Sequence, residues 1–286
     1  MSKMETIEYT KEMQAYADNL RRQGKKISFV PTMGYFHEGH LQLMRAAKKM
    51  ADCLIVSIYV NPTQFGPKED LSKYPRDFAR DAKMAGDVGV DIIFCPGNEE
   101  MYPEGYQTYV TVEEATRNLC GLSRPGHFRG VTTVCAKLFN LVKPYVAVFG
   151  KKDYQQYITI KRMVADLNMD LEIIGLPTVR EADGLAMSSR NVYLKDNERQ
   201  SALTLVASLR RAQALYEQGE RESSAISEAA EKIIKAAPYT EIDYVKICDA
   251  QTLNIMEKIE GPAVIALAVK VNQTRLIDNH VFGDVF

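Results

Sequence analysis

The run Lys26-Ile27-Ser28-Phe29-Val30-Pro31-Thr32-Met33-Gly34-Tyr35-Phe36-His37-Glu38-Gly39-His40 decides the fold. Its first five residues predict a strand that Pro31 stops, and after a short glycine-containing turn the segment Gly39 to Met50 has helical spacing. Strand, turn and helix in that order open a nucleotide fold. A helix N-terminus at this point offers unpaired backbone N–H groups and a partial positive charge to a phosphate. His37 and His40 add imidazole donors, and Gly39 lets the backbone come close to a ligand. The helix dipole alone contributes only ~0.3–1 kcal/mol, whereas one well-aimed donor to a developing anion is worth ~2.7–4 kcal/mol. The side chains therefore carry most of such a site. Two plainer readings, a His37–His40 metal pair and two histidines capping a turn, rank lower. A zinc ion wants a third ligand close by, while His127 and His280 stand far along the chain.

Outward from this run, a helix over Glu8 to Gln23 precedes the strand, with Met13, Tyr16, Ala17 and Leu20 on one face. Strands follow at Leu54–Val60, Ile92–Cys95 and Tyr145–Phe149, alternating with helices at Arg76–Gly86, Val131–Val142 and Tyr154–Asp166. This alternation predicts an α/β, Rossmann-like, doubly wound parallel sheet. Leu54 to Val60 is nearly all apolar, as a strand covered on both faces must be. Open parallel sheets bind ligands beyond the carboxyl ends of their strands, so the loops after Val30, Val60 and Phe149 are the expected place of chemistry. Past about Val192 the pattern changes to charged helices at Asn197–Glu217 and Ser223–Ala236, then strands near Asp243–Cys248, Ala263–Val271 and Thr274–Ile277. The expected division is residues 1–190 as a Rossmann-like domain and 191–286 as a smaller C-terminal α+β domain.

Composition excludes several classes. Lys+Arg 36 against Asp+Glu 37 gives a net charge of −1, too little to hold a nucleic acid by counterion release. The five cysteines include no Cys-x-x-Cys pair and several sit in apolar runs, as thiols of a reducing compartment do. Met1 to Thr10 is polar, and no stretch approaches the ~20 apolar residues of a membrane span. A cytoplasmic protein with no nucleic-acid and no membrane partner is expected.

Three more constellations carry chemistry. Met187-Ser188-Ser189-Arg190-Asn191 pairs hydroxyl donors with a guanidinium fork suited to phosphate oxygens; alone it would read as a surface turn. Gly150-Lys151-Lys152-Asp153-Tyr154-Gln155-Gln156 follows a buried strand and opens a helix, with a lysine to neutralise a phosphate and Asp153 also fit for an N-cap. Asn61-Pro62-Thr63-Gln64-Phe65-Gly66 is a turn in which Gln64, like Gln156, offers a neutral amide. Such an amide suits a hydroxy acid whose carboxylate must stay nucleophilic. Ser123 to Gly130 is a basic glycine-containing loop, either closing over phosphates or merely solvated.

Together, Pro31–His40, Asn61–Phe65, Arg124–Gly130, Gly150–Gln156 and Met187–Asn191 resemble the pantothenate synthetase family, the pantoate–β-alanine ligases, from about Lys25 to Leu194. The His-x-Gly-His and Met-Ser-Ser-Arg strings are more distantly similar to the paired signatures of class I aminoacyl-tRNA synthetases. The resemblance implies that pantoate attacks the α-phosphate of Mg-ATP, releasing pyrophosphate, and that β-alanine then attacks the pantoyl adenylate to give pantothenate and AMP. It places Met33, Gly34, Tyr35, Phe36, His37, Glu38, Gly39, His40, Gly150, Lys151, Lys152, Asp153, Val179, Met187, Ser188, Ser189 and Arg190 at ATP. His37 is then the proton donor, His40 a phosphate contact, and Lys152 and Arg190 stabilise the charge developing on pyrophosphate. Gln64 and Gln156 hold pantoate, with Arg124 and His127 less direct. The resemblance also implies Mg2+ as cofactor, a homodimer, and a C-terminal lid. The protein ligands of the metal are not assigned; Asp77 and Asp81 lie in the right region and equally suit exposed helix charges. Tyr35-Phe36 departs from the family's usual small residue followed by leucine. A nucleotidyltransferase acting on a phosphate-bearing acceptor and a nucleotide-binding module without turnover are the rival readings. The two glutamines argue against the first, and Lys152 with Arg190 against the second.

Overall fold

The computed structural model describes residues 4–67 and 69–286; the first three residues of the polar opening stretch lie outside the described residues. In chain order the elements are β1 Glu5–Ile7, α1 Thr10–Arg22, β2 Ile27–Thr32, α2 Glu38–Lys48, β3 Cys53–Ile58, α3 Phe78–Asp87, β4 Ile92–Phe94, α4 Asn98–Met101, α5 Cys120–Ser123, α6 His127–Val142, β5 Val146–Gly150, α7 Tyr154–Asp166, β6 Glu172–Leu176, α8 Asp196–Glu217, α9 Ser223–Lys235, β7 Thr240–Asp249, β8 Ala263–Val271 and β9 Thr274–Val281. They fall into two compact units that are not one cut of the chain. The first comprises Met1–Val112, Pro125–Lys151 and Thr159–Pro177, and the second Glu113–Arg124, Lys152–Ile158 and Thr178–Phe286.

The first unit is built on a six-stranded sheet in the order β1-β4-β3-β2-β5-β6, and every recorded pairing in it is parallel. Successive strand residues point to opposite faces, and both faces of β2 are covered. Phe29 meets Phe139 of α6 edge to face, ring centroids 6.4 Å apart. Val30, one residue on, packs in a cluster with Leu41 and Met44 of α2. Helix α2 buries Leu41, Met44 and Ala47, a three-residue spacing that keeps one stripe against the sheet. After β2 the chain moves to β3 and then β4 on one side, and it later returns to place β5 and β6 on the other side of β2. The carboxyl ends of β2 and β5 therefore flank the point where the winding reverses, the place where such sheets bind ligands.

The second unit contains the antiparallel sheet β7-β8-β9. Its core joins Leu205, Leu209 and Ala212 of α8, Ile226, Ala230 and Ile234 of α9, and Ile265, Leu267 and Val269 of β8. The Val271–Thr274 corner is the expected hairpin, with Asn272 at φ 53°.

Several boundaries differ from the sequence expectation. Strand β1 precedes α1 where only a polar lead-in was expected, and β6 pairs along β5 in a stretch, Glu172 to Leu176, that no pattern had marked. Helix α6 begins at His127 rather than Val131. Strand β9 runs past Ile277 to Val281 because the polar residues Asp278, Asn279 and His280 are buried on hydrogen-bonded partners instead of ending the strand in water.

Candidate active site

The loop from Met33 to His37 leaves β2 at the winding reversal and enters α2. Gly34 takes φ +81°, and a Cβ there would lie 3.0 Å from both the Asp81 carboxylate and the Ile58 side chain, so only glycine fits without displacement. Asp81, on α3, is 1% exposed. Its two oxygens accept from the backbone N–H groups of Tyr35 at 2.6 Å and Phe36 at 2.7 Å. Burial pushes this carboxyl up from the usual range, against the lowering effect of those two hydrogen bonds. The neighbouring Arg80 donates to the Phe36 carbonyl at 2.8 Å and lies over the Tyr35 ring at 5.0 Å. Asp81 is thus a buried clasp on the loop and not an exposed helix charge. Asp77 accepts from the Arg80 N–H at 3.0 Å and caps α3.

His37 is the N-cap of α2. Its N–H donates to His40 Nδ1 at 3.3 Å, and the two rings lie 4.1 Å apart between centroids. The capping reading of the pair therefore holds for one nitrogen of His40. In the neutral ring that contact makes Nδ1 the acceptor, so the proton sits on Nε2, where it can be donated to an anion. Phe36 fills the core beneath, and its ring stands 5.5 Å from His40. Among the described residues no group of three histidine, cysteine or acidic side chains is placed to hold a metal ion.

Gln64 lies in the 3-10 turn Pro62–Gln64 that follows β3. Its Oε1 accepts from Asn61 Nδ2 at 3.0 Å and its Nε2 reaches Met33 Sδ at 3.3 Å, so the turn carrying Gln64 and the loop after β2 touch. The Gln64 carbonyl accepts from His127 Nδ1 at 2.9 Å, which fixes the proton on that nitrogen. Helix α6 presses on the same turn: a Cβ at Gly130 would come within 2.5 Å of the Thr63 carbonyl oxygen. Gly150 ends β5 beside β2, and Lys151 follows it in the same unit. A cavity of about 880 Å³ opens beyond β3 and β4, lined by Met33, Gly34, Tyr35, Val60, Asp81 and Asn98 among others.

The remaining predicted positions belong to the second unit. Residues 179–187 form a small hairpin in which Met187 N–H donates to the Val179 carbonyl at 2.9 Å and Arg180 bridges Ala186. The Ser188 side chain then accepts from the Arg190 N–H at 3.2 Å and starts the 3-10 turn Ser189–Tyr193. Asn191 ties that turn back through Glu181 at 2.6 Å and the Ala186 carbonyl at 3.1 Å. Val179, Met187, Ser188, Ser189 and Arg190 are thereby brought together. Asp153 lies 4.0 Å from the Lys152 ammonium.

Two consecutive residues of β9 hold both segments. Asp278 takes a two-pronged contact from Arg180 of the hairpin at 2.7 and 3.1 Å, and Asn279 donates to the Lys152 carbonyl at 2.7 Å. Gln156 sits half-buried on α7. Its neighbour Gln155 is a brace, accepting from Cys120 N–H at 3.0 Å and donating to the carbonyls of Ala115 and Asn118 at 3.0 and 2.8 Å. Lys152, Asp153, Gln156 and Arg190 are residues of the second unit, and His37, His40 and Gln64 of the first.

The parallel sheet with a histidine-bearing loop at its winding reversal and a hydroxyl-rich turn before an arginine defines a class: an α/β enzyme that uses a nucleotide. The pantoate–β-alanine ligase family profile matches residues 5–281. A pantothenate synthetase of Syntrophus aciditrophicus is 64% identical over 281 residues, 98% of each chain, and one of Pelotomaculum thermopropionicum is 59% identical over 274 residues, 96% of this chain and 97% of its own. The crystal structure of the Thermus thermophilus pantoate–β-alanine ligase superposes with TM-score 0.92 at 44% identity, covering 97% of this chain and 99% of that one. A Francisella tularensis pantoate–β-alanine ligase, solved with β-γ ATP and β-alanine, gives 0.78 at 32% identity, with 98% of each chain covered. The chain belongs to the pantoate–β-alanine ligase family and is an enzyme, an ATP-dependent carbon–nitrogen ligase.

Proposed function

We propose that the loop residues His37 and His40, with Lys152 and Arg190, activate pantoate as an adenylate that β-alanine then converts to pantothenate. The observation that carries this reading is the His37 N–H to His40 Nδ1 contact, which puts the proton of the neutral His40 ring on Nε2, the kind of donor a phosphate oxygen at the carboxyl end of β2 requires. In the first step a pantoate carboxylate oxygen attacks the α-phosphorus of ATP and the bond to pyrophosphate breaks. His40 Nε2–H, Lys152 and Arg190 stabilise the charge that develops, and His37 is the proton donor. In the second step the amine of β-alanine attacks the acyl carbon, the bond to AMP breaks and the amine loses a proton. Two steps are needed because a carboxylate is a poor acyl electrophile, and the mixed anhydride splits one hard reaction into two easier ones.

Met33 to His40, Gly150 to Asp153, Val179 and Met187 to Arg190 bind ATP in this reading, and Gln64 and Gln156 hold pantoate. Residues 191–286 act as a lid that keeps water from the adenylate. Mg2+ enters with ATP. Asp81 and Asp77 do not fit a protein metal cage, since both Asp81 oxygens are occupied by backbone donors and Asp77 caps a helix. Magnesium commonly keeps substrate phosphates and waters as its ligands. We infer a cytoplasmic homodimer; no helix among the described residues is long and apolar enough to cross a membrane.

The experiment is exchange of labelled pyrophosphate into ATP with and without pantoate, β-alanine being absent. Exchange that requires pantoate is expected. Folded protein that makes pantothenate yet shows no exchange would overturn the adenylate step.

A further inference from the structure

Asn61 uses its whole carboxamide. Its Oδ1 accepts from Thr63 N–H at 3.4 Å, from Thr63 Oγ1 at 2.9 Å and from the Tyr102 hydroxyl at 3.0 Å. Its Nδ2 donates to Gln64 Oε1 at 3.0 Å and to the Gly130 carbonyl at 3.1 Å. A half-turn of this amide would set its NH2 against the Thr63 N–H and its oxygen against two acceptors, so the network admits one orientation. That orientation passes to Gln64. With Oε1 held by Asn61, the Gln64 NH2 must face the other way, where it meets Met33 Sδ at 3.3 Å. A thioether is a weak acceptor, readily outcompeted by a carboxylate or hydroxyl oxygen.

Tyr102 stands at the end of α4, far from any nucleotide motif. Burial pushes its hydroxyl up to about 12, so it keeps its proton, and its capacity to donate, through neutral pH. Its ring is held edge to face against Tyr106 at 5.0 Å, which aims the hydroxyl at the Asn61 turn.

We propose that Tyr102 is a positioning residue of the ligase. It holds Asn61, and through it Gln64, so that the Gln64 NH2 faces the acid and the pocket selects substrates presenting an acceptor oxygen there. This rests on the assignment of Gln64 to pantoate made above. The selection follows from polarity: an acid carrying a donor at that point would face NH2 with no acceptor to offer it.

Tyr102→Phe removes the hydroxyl alone, and Thr63 still donates to Asn61. The KM for pantoate should rise about threefold to tenfold, as expected for one neutral hydrogen bond, with kcat and the KM for ATP near wild type. In protein labelled with 15N at glutamine side chains, the Gln64 amide resonances should shift in the same variant. Adding Tyr102→Phe to Gln64→Ala should change nothing further, because the relay ends at Gln64. An unchanged pantoate KM with unmoved Gln64 resonances overturns the proposal, and so does a full further loss in the Gln64→Ala background. If Gln64→Ala alone keeps a wild-type pantoate KM, the assignment of Gln64 to pantoate fails instead, while the amide shift still reports the relay. Asn61→Asp, which sets an oxygen against Gln64 Oε1, should move the pantoate KM in the same direction and provides the test if Tyr102→Phe does not fold.

Discussion

Gly34 and Asp81 stand so close that a single added Cβ would reach to 3.0 Å from the carboxylate holding the loop. The same carboxylate fixes Tyr35 and Phe36, so the residue before the histidine pair and the clasp from α3 form one rigid unit. Gly34→Ala should therefore destabilise the protein by about 1–3 kcal/mol through a left-handed backbone and a crowded contact. It should also reduce pantoate-dependent exchange more than the lost folded fraction explains. Thermal denaturation and exchange rates on the same sample check this. An alanine variant with wild-type melting and rate would show that the loop yields freely.

In the proposed reaction His40 has two separable jobs. His40→Asn retains an acceptor near the Nδ1 position for the His37 N–H but has no counterpart of the Nε2 donor. Melting should stay near wild type while exchange falls about 10²- to 10³-fold, the cost of one donor to a developing anion. His40→Ala should lose the rate and some stability as well. Equal rates for the His40→Asn variant and the native enzyme would remove His40 from the chemistry.

Lys152→Ala should abolish most of the adenylation rate with little change in melting, since it is the Lys152 carbonyl, and not the ammonium, that Asn279 holds. Single-turnover formation of pyrophosphate measures the effect. Near-normal turnover would show that another cation neutralises the leaving group.

Arg180 and Asp278 are both largely buried, with side chains 16% and 3% exposed. Arg180→Met should cost about 3–5 kcal/mol, because it leaves a buried carboxylate without its partner. Arg180→Met with Asp278→Leu should recover much of that loss. Denaturant melts of the single and double variants provide the comparison, and a small single-variant loss would mean that water reaches Asp278.

Burial lowers the His280 imidazole below its ordinary value, and its Nε2 lies 3.1 Å from Gln213 Oε1. A depressed folded value means that the neutral ring contributes stability above the unfolded pKa, near 6.5, and that this contribution is lost as pH falls through the folded value. Melting temperature should thus decline on acidification from about pH 6.5, and His280→Gln should flatten that part of the curve. A variant curve parallel to the native one would assign the decline to other groups.

The parts of this protein that could be read from residues alone are those where one local pattern has one physical solution. The apolar runs around Phe29 and Ile55 can be satisfied only by strands covered on both faces, and the His-x-Gly-His string after such a strand marks a helix start. Where the decisive partner lies far along the chain, the pattern is silent. Asp81 shares its helix with Asp77 and Arg80, and nothing local marks it as the residue that is buried on the Tyr35 and Phe36 amides. Asp278, Asn279 and His280 look like the polar end of a strand, but Arg180, Lys152 and Gln213 satisfy them inside the fold. Strand β6 is not legible locally because Glu172 and Gly175 interrupt a short run whose register comes from β5. Tyr102 carried no signal at all, since its role exists only through the turn it touches.

The near-contact of Gly130 with the Thr63 carbonyl sets a limit on how this turn can drift. There backbone is pressed on backbone, so no side chain can be added at residue 130 without displacing the turn that carries Gln64. Under the proposed assignment of Gln64 to pantoate, a ligase for a bulkier or smaller hydroxy acid must be sought at Met33, whose flexible thioether touches the Gln64 amide.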